Sequence, residues 1–332
     1  MTNTHAQDGP FLGVARSLSG RTWRARPAAP ELVTAHQRRS GLSEPIARAL
    51  ASRGVREDEA DLYLNPTLRA LFPDPSCFLD MDKAAEIVVE ALVRERPTLV
   101  FADYDVDGAT SAALLVRWFR AMGAELPVYV PDRINEGYGP SPAAFKRIRE
   151  QGAELVITVD CGAAAHDAID AATELGLEVV VVDHHLMRDE PPRAAAVVNP
   201  NRPGCNSGQG MLAAAGVTFV LLAALNREAR RRGLFADRPE PRILDWLDLA
   251  ALGAVCDVTA LTGFNRALAS QGLRVMSGWR NTGLRALMEV AQLKGDAVAS
   301  TFHAGFILGP RINAGGRIGR SDLGARLLST DD

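Results

Sequence analysis

Residues 98–119 read TLVFADYDVDGATSAALLVRWF: an apolar run, a cluster of acids, then a stretch of helical character. The run Thr98–Ala102 has the unbroken apolar character of a strand buried on both faces. Asp103, Asp105 and Asp107 crowd three carboxylates into five residues where that strand stops. Carboxylates so close repel one another and resist ionising together, so the cluster calls for a compensating partner. A divalent cation is one such partner, and hard oxygen ligands fit Mg²⁺ or Mn²⁺. The other reading is an acidic turn followed by a helix that Thr110 or Ser111 caps.

Further along, β-rich runs recur at 127–130, 154–159, 178–182 and 195–198. Helical stretches around 110–122, 141–151 and 163–176 separate them. A run such as Val179–Val182, with no polar alternation, is what a doubly covered strand looks like. The alternation therefore predicts an α/β fold: a parallel Rossmann-like sheet flanked by helices. Ligands of such sheets sit at the carboxyl ends of the strands. Three of these runs end in chemistry-bearing residues: Asp103-Tyr104-Asp105-Val106-Asp107, then Asp160-Cys161-Gly162, then Asp183-His184-His185. A single Asp at a strand end is commonplace; three strands delivering acids and two adjacent histidines to one edge favour the metal reading.

The 332 residues, 47% hydrophobic, suffice for a large core in one or two domains. A net charge of −3 gives no global pull toward polyanions, so any such partner needs local basic patches or bound metal. Only Lys83, Lys146 and Lys294 among the 37 basic residues are lysines, a bias that the Ala-rich composition explains better than phosphate binding does. Cys77, Cys161, Cys205 and Cys256 lie far apart without a CxxC pair, so neither a zinc site nor a disulfide framework is expected. No apolar run reaches the ~18 residues of a membrane span, and MTNTHAQDGP lacks a signal-peptide core. A cytoplasmic location is the expectation.

Residues 1 to about 40, rich in Pro, Ser and Arg, read as an extended arm. Arg16, Arg21, Trp23, Arg24 and Arg26 could stack on and neutralise a nucleic acid strand or form a solvated tail. Ser43–Leu64 reads as a helix, Pro73 and Pro75 as a loop, and Met81–Arg94 as a helix. Leu212–Arg231 reads as a buried helix whose Arg230, Arg231 and Arg232 complement its C-terminus. Ile243–Val258 is helical in period and ends near Asp257. In Gly309–Arg320, GPRINAGGRIGR, glycines permit close approach to a ligand and arginines supply charge; without GKS or GKT it is not a Walker-type loop.

In order, FADYDVDG (101–108), VDCG (159–162) and VDHH (182–185) resemble the DHH phosphoesterase superfamily. RINEGYG (133–139), AVVNPNRPGC (196–205), AAAGVTF (213–219), ALGAVCDV (251–258) and GPRINAGGR (309–317) resemble its single-strand-specific 5′→3′ DNA exonucleases. The resemblance runs from about residue 11 to the end. It implies Asp103, Asp105, Asp107, Asp160, His184 and Asp257 as ligands of Mn²⁺ or Mg²⁺, two ions in all, with Asp160 bridging. It also implies that Asp183 orients a histidine and that His185 contacts the scissile phosphate or assists the leaving group. Phosphate recognition falls on Arg133 and Arg317, supported by Arg311 and Asn313. His166 and His303 read as structural.

The implied partners are single-stranded DNA, a single-strand-binding protein and a helicase, in DNA repair and recombination. The implied domains are an N-terminal arm and helical extension over 1–80, the catalytic domain over 81–260, and a helical segment over 261–332 leading toward a second domain. Beyond it, the resemblance implies a nucleic-acid-binding OB-fold; a chain ending at Asp332 is expected to bind weakly and act with poor processivity. Two positions depart from the pattern: Ala102 stands where a glycine precedes the first aspartate, and Thr259-Ala260 replaces Val-Pro after Asp257. Competing readings are a DHH phosphodiesterase of short oligonucleotides or cyclic dinucleotides, and a non-catalytic scaffold. The arm and GPRINAGGR argue against the first, the full ligand set against the second.

Overall fold

The apolar runs become five strands: β1 (Thr98–Ala102), β2 (Val128–Tyr129), β3 (Leu155–Val159), β4 (Glu178–Val182) and β5 (Ala196–Val198). This computed structural model describes residues 9–133, 135–188, 190–294, 297–318 and 320–332. All the strands pair in parallel, in the order β2-β1-β3-β4-β5. The α-helices of the described residues are α1 (Pro30–Ser40), α2 (Glu44–Ala51), α3 (Ala60–Leu64), α4 (Leu68–Leu71), α5 (Met81–Val93), α6 (Val106–Ala121) and α7 (Pro142–Glu150). They continue as α8 (His166–Glu174), α9 (Ala214–Arg231), α10 (Leu247–Cys256), α11 (Gly263–Met276), α12 (Thr282–Val290), α13 (Gly309–Ile318) and α14 (Leu323–Ser329).

Alternation along the strands assigns the two layers, because successive side chains leave opposite faces. Val100 and Ala102 of β1 join a core shared with α5, α6, α9 and α10, while Leu99 and Phe101 join a second core under α7 and α8. Both faces are thus covered, which is why β1 and β3 are buried at every position. The strand order reverses direction at β1, whose two neighbours are β2 and β3. In a doubly wound sheet the crevice at such a switch point is the place for a ligand. Asp103 and Asp160 follow the two strands that flank it.

The described chain divides into two compact units, Met1–Pro66 and Thr67–Asp332. In the first, the expected arm is not extended throughout. Residues 1–8 lie outside the described residues, Pro10–Arg24 fold back on themselves, and 30–40 is the helix α1. Pro30 and Glu31 suit its first turn, Arg38 and Arg39 its last, and Gly41 at φ +60° ends it. Its buried face consists of Val33, packed with Ala47 and Ala51, and His36, whose Nε2 lies 3.0 Å from the Val55 carbonyl oxygen. The helix expected over 43–64 is broken into α2 and α3, with Gly54 at φ +69° between them. In the second unit the loop expected around Pro73 is preceded by the short helix α4.

Arg230, Arg231 and Arg232 do more than complement the end of α9: they pair with Glu240, Glu228 and Glu90. The stretch 309–318 is helical, and its glycines approach the protein itself. A Cβ on Gly309 would lie 2.5 Å from Cys256 Sγ, and one on Gly316 3.0 Å from the Tyr104 carbonyl oxygen. The four cysteines are free thiols. Among the described residues no helix is long and apolar enough to cross a membrane.

Candidate metal centre

The first acidic motif turns the chain from β1 into α6. Asp105 is the N-cap residue: its Oδ1 accepts from the N–H groups of Asp107 at 2.8 Å and Gly108 at 3.0 Å. Thr110 and Ser111, the alternative caps, are buried inside α6, with the Thr110 hydroxyl donating to the Val106 and Asp107 carbonyls. Gly108 lies against the Asp103 backbone, where no side chain would fit. Asp103 is buried, and among the described residues its Oδ1 has no hydrogen-bond partner. Burial, with the charge of Asp105 adding to it, pushes the Asp103 carboxyl up to about 6.

Asp107 points toward the start of α9. There Ala214 and Ala215 donate their N–H groups to its Oδ2 and Oδ1 at 2.6 and 2.8 Å. Those N–H groups belong to the unpaired first turn of the helix, a natural carboxylate cradle. Burial and the neighbouring Asp257 nevertheless hold the Asp107 carboxyl well above the ordinary range. Gly253 of α10 makes the room: a Cβ there would sit 2.5 Å from Ala215 Cβ and 2.7 Å from both Asp107 Oδ1 and Thr110 Oγ1.

β3 delivers Asp160, a buried non-glycine residue held at φ +60°. That left-handed conformation costs on the order of 1 kcal/mol or more. Burial first, then Asp107 and the other acids, push its carboxyl up. β4 delivers Asp183, His184 and His185. Asp183 Oδ1 accepts from the N–H groups of His184 (2.7 Å) and His185 (3.2 Å) and lies 2.7 Å from His185 Nδ1, while Oδ2 accepts from the Ala163 N–H at 2.9 Å. Burial alone would raise the Asp183 carboxyl; these hydrogen bonds and the imidazole outweigh it and hold it low. The same contact raises His185, whereas burial lowers His184.

These residues converge. His184 Nε2 lies 3.3 Å from Asp160 Oδ1, 3.7 Å from Asp257 Oδ2 and 3.8 Å from Asp107 Oδ2, with Asp257 supplied by the C-cap of α10. Among the described residues, three groups have ligand atoms close enough to share an ion: Asp103, Asp105 and Asp160; Asp107, His184 and Asp257; Asp160, His184 and His185. Asp160 and His184 each belong to two of them. Asp257, drawn in by α10, is also raised by burial.

The residues expected at phosphate are more scattered. Arg133 is exposed, with its guanidinium carbon 4.8 Å above the Tyr104 ring. Arg311 donates to the Ile307 carbonyl within its own helical stretch. Among the described residues, exposed Arg317 has no hydrogen bond and buried Asn313 Oδ1 no partner. His303 Nδ1 lies 2.9 Å from Ser300 Oγ, and His166 is exposed at the start of α8.

Several supporting groups were not singled out from the sequence. Asn199 donates to the His185 carbonyl at 2.9 Å and Asn201 to that of His184 at 2.6 Å, pinning the segment that presents both imidazoles. The Asn-Pro-Asn spacing after β5 is the only local signal for them. Tyr138 edges onto Tyr104 and has its hydroxyl pushed up by burial and by Asp103 and Asp160.

Residues 97–254 match the N-terminal domain of the DHH family. Single-stranded-DNA-specific exonuclease RecJ of Dickeya dadantii is 40% identical over 291 residues, 86% of this chain and 50% of that protein. RecJ of Thermus thermophilus in complex with Mn²⁺ superposes with a TM-score of 0.72 at 32% identity, covering 92% of this chain and 42% of that one. Its complex with Mg²⁺ gives 0.64 at 31% identity, covering 92% and 39%. The chain thus spans about half the length of the curated relative from Dickeya. Likeness in sequence and likeness in fold agree: residues 97–254 form a DHH-family domain, within a chain similar to RecJ over 86% of its length.

Proposed function

We propose that this chain is the catalytic portion of a divalent-metal-dependent phosphodiesterase that removes nucleotides from the 5′ end of single-stranded DNA, in repair and recombination in the cytoplasm. The observation that carries the reading is the sharing of Asp160 and His184 between ligand groups at the switch point of the sheet. In this reading residues 81–260 are the catalytic domain, 1–80 an arm and extension, and 261–332 a helical lead toward a further domain.

The donor set suits Mn²⁺ or Mg²⁺. Asp103 has a buried oxygen without a partner, and Asp107, Asp160 and Asp257 are all pushed up by burial and mutual charge, which a bound cation relieves. Asp103, Asp105 and Asp160 would hold one ion, and Asp107, His184 and Asp257 a second; Asp160 Oδ1, 3.3 Å from His184 Nε2, is the donor the two groups could share. Bound there, such ions supply an activated water and neutralise charge on the phosphoryl oxygens.

The remaining steps belong to the chain. Burial keeps His184 neutral at pH 7, as a ligand must be. Asp183 fixes the His185 ring through Nδ1 and favours its protonated form, leaving Nε2 to hold the scissile phosphate or hand a proton to the leaving oxygen. Arg133 and Arg317, with Arg311 and Asn313, are assigned to the phosphates of the strand. A helicase would supply that strand and a single-strand-binding protein would keep it unpaired.

The test is hydrolysis of a 5′-labelled single strand, with and without Mn²⁺, beside a duplex, a dinucleotide and Asp160→Ala. Mononucleotides released from the single strand alone, only with metal and not by the variant, are the expected result. Cleavage of the dinucleotide only, or none with Mn²⁺ bound, would overturn the reading.

A further inference from the structure

We infer that the folded-back segment Pro10–Arg26 of the first unit is a contact surface for single-stranded DNA in its own right; its choice of ligand rests on the reading above. Residues 9–30 carry Arg16, Arg21, Arg24 and Arg26 and no acidic residue, in a chain whose net charge is −3. A local patch of the opposite sign to the whole is what holds a polyanion when net charge does not.

The segment is tied rather than trailing. The Phe11 N–H donates to the Trp23 carbonyl at 2.8 Å, the Trp23 N–H to that of Val14 at 3.1 Å, and the Ser17 N–H to that of Arg21 at 2.8 Å, with the Thr22 hydroxyl on the Ala15 carbonyl at 2.8 Å. Gly20 at φ +75° makes the turn. A solvated tail has no use for such cross-links.

The four guanidiniums lack what other arginines of this chain have. Arg230, Arg231 and Arg232 each meet a glutamate, and Arg193 meets Asp170 at 2.7 Å. Among the described residues the side chains of Arg16, Arg21, Arg24 and Arg26 have neither a carboxylate nor a hydrogen bond. Beside them Trp23 is 48% exposed, Leu12 76% and Leu18 fully exposed. Arginine forks suit phosphate oxygens, and an exposed indole offers a face on which any base can stack. Charge without acids, interleaved with an aromatic, matches a flexible polyanion whose bases are unpaired.

The experiment uses the whole chain in EDTA, so that binding is read without hydrolysis. Fluorescence anisotropy follows labelled (dT)₃₀ over a salt series. Replacing all four arginines by Ala should weaken binding about 10-fold or more at low salt. It should also flatten the slope of log K against log[salt] by roughly 2–3, at ~0.7 per phosphate contact on a single strand. Trp23→Ala should lose severalfold in affinity at an unchanged slope, and the fourfold Arg→Lys variant should keep the slope. Unchanged melting and unchanged Mn²⁺ binding certify the folds. Parental affinity and slope in the Ala variant would overturn the inference, as would loss of binding to phosphatidylserine vesicles with oligonucleotide binding intact. Because the readout is binding, a chain that cleaves nothing leaves this test standing, and a silent Ala variant leaves the nuclease reading standing.

Discussion

Asp183 and His185 form the most clearly polarised pair at the residue scale. With Asp183 held low and His185 raised by it, the imidazolium persists to a pH above its ordinary 6.5. If His185 acts in its charged form, activity falls as pH rises through that raised value. Asp183→Asn removes the charge and lets the imidazole titrate earlier. The alkaline limb of the pH–rate profile should therefore move to lower pH by about one unit, with kcat at neutral pH reduced about 10-fold or more. A limb that stays in place would deny His185 this role.

At the scale of elements, the centre depends on how closely α10 approaches α6 and the start of α9. Gly253 sets that approach, since its missing Cβ would fall on Ala215, Asp107 and Thr110. Gly253→Ala forces helices apart or Asp107 off its two backbone donors. We expect a loss of about 1–3 kcal/mol from overpacking, together with Mn²⁺ binding weakened about 10-fold or more. Urea unfolding and titration calorimetry check both; stability lost with Mn²⁺ affinity intact would mean that Asp107 is not a ligand. The departures from the family pattern are absorbed at this scale. Ala102 is fully buried in β1, and the Thr259 hydroxyl donates to the Ala254 carbonyl and accepts from Asn265, bracing the turn after Asp257.

For the whole molecule, the acidic cluster is a liability until its charge is met. Asp103, at about 6 in the fold against 3.8 unfolded, keeps its proton longer when folded. The fold therefore binds more protons than the unfolded chain between those values, and stability drops as pH rises through that window, by on the order of 3 kcal/mol for this group. Asp107, Asp160 and Asp257 act in the same sense; His184, lowered by burial, opposes them near its own titration. The metal-free protein should thus melt several degrees higher at pH 5 than at pH 7.5. Saturating Mn²⁺ should remove most of that difference, adding about 2.7 kcal/mol at a hundredfold excess over Kd. A metal-free protein equally stable at both values would mean that burial does not destabilise the charged form of these carboxylates.

The sequence by itself determined the sheet and the acids and histidines that stand at its edge. Unbroken apolar runs admit few structures other than doubly covered strands, and acids or histidines at three strand ends must then share one edge, because parallel strands all point the same way. Periodicity also placed α6 to α10 within a few residues. Where helices break or begin under polar sequence, as in α1 and between α2 and α3, the deciding contacts are those of Val33, His36 and Ala51 with residues distant in the chain, which no local pattern records. The same holds at the centre. That Asp105 is a cap, that Asp107 rests on the first turn of α9, that Gly253 clears space for it, and that Asn199 and Asn201 hold the histidine segment are facts of packing between elements. Only the tertiary structure decided them, because a hydrogen bond or a steric fit across a hundred residues leaves its mark in distance and not in spacing.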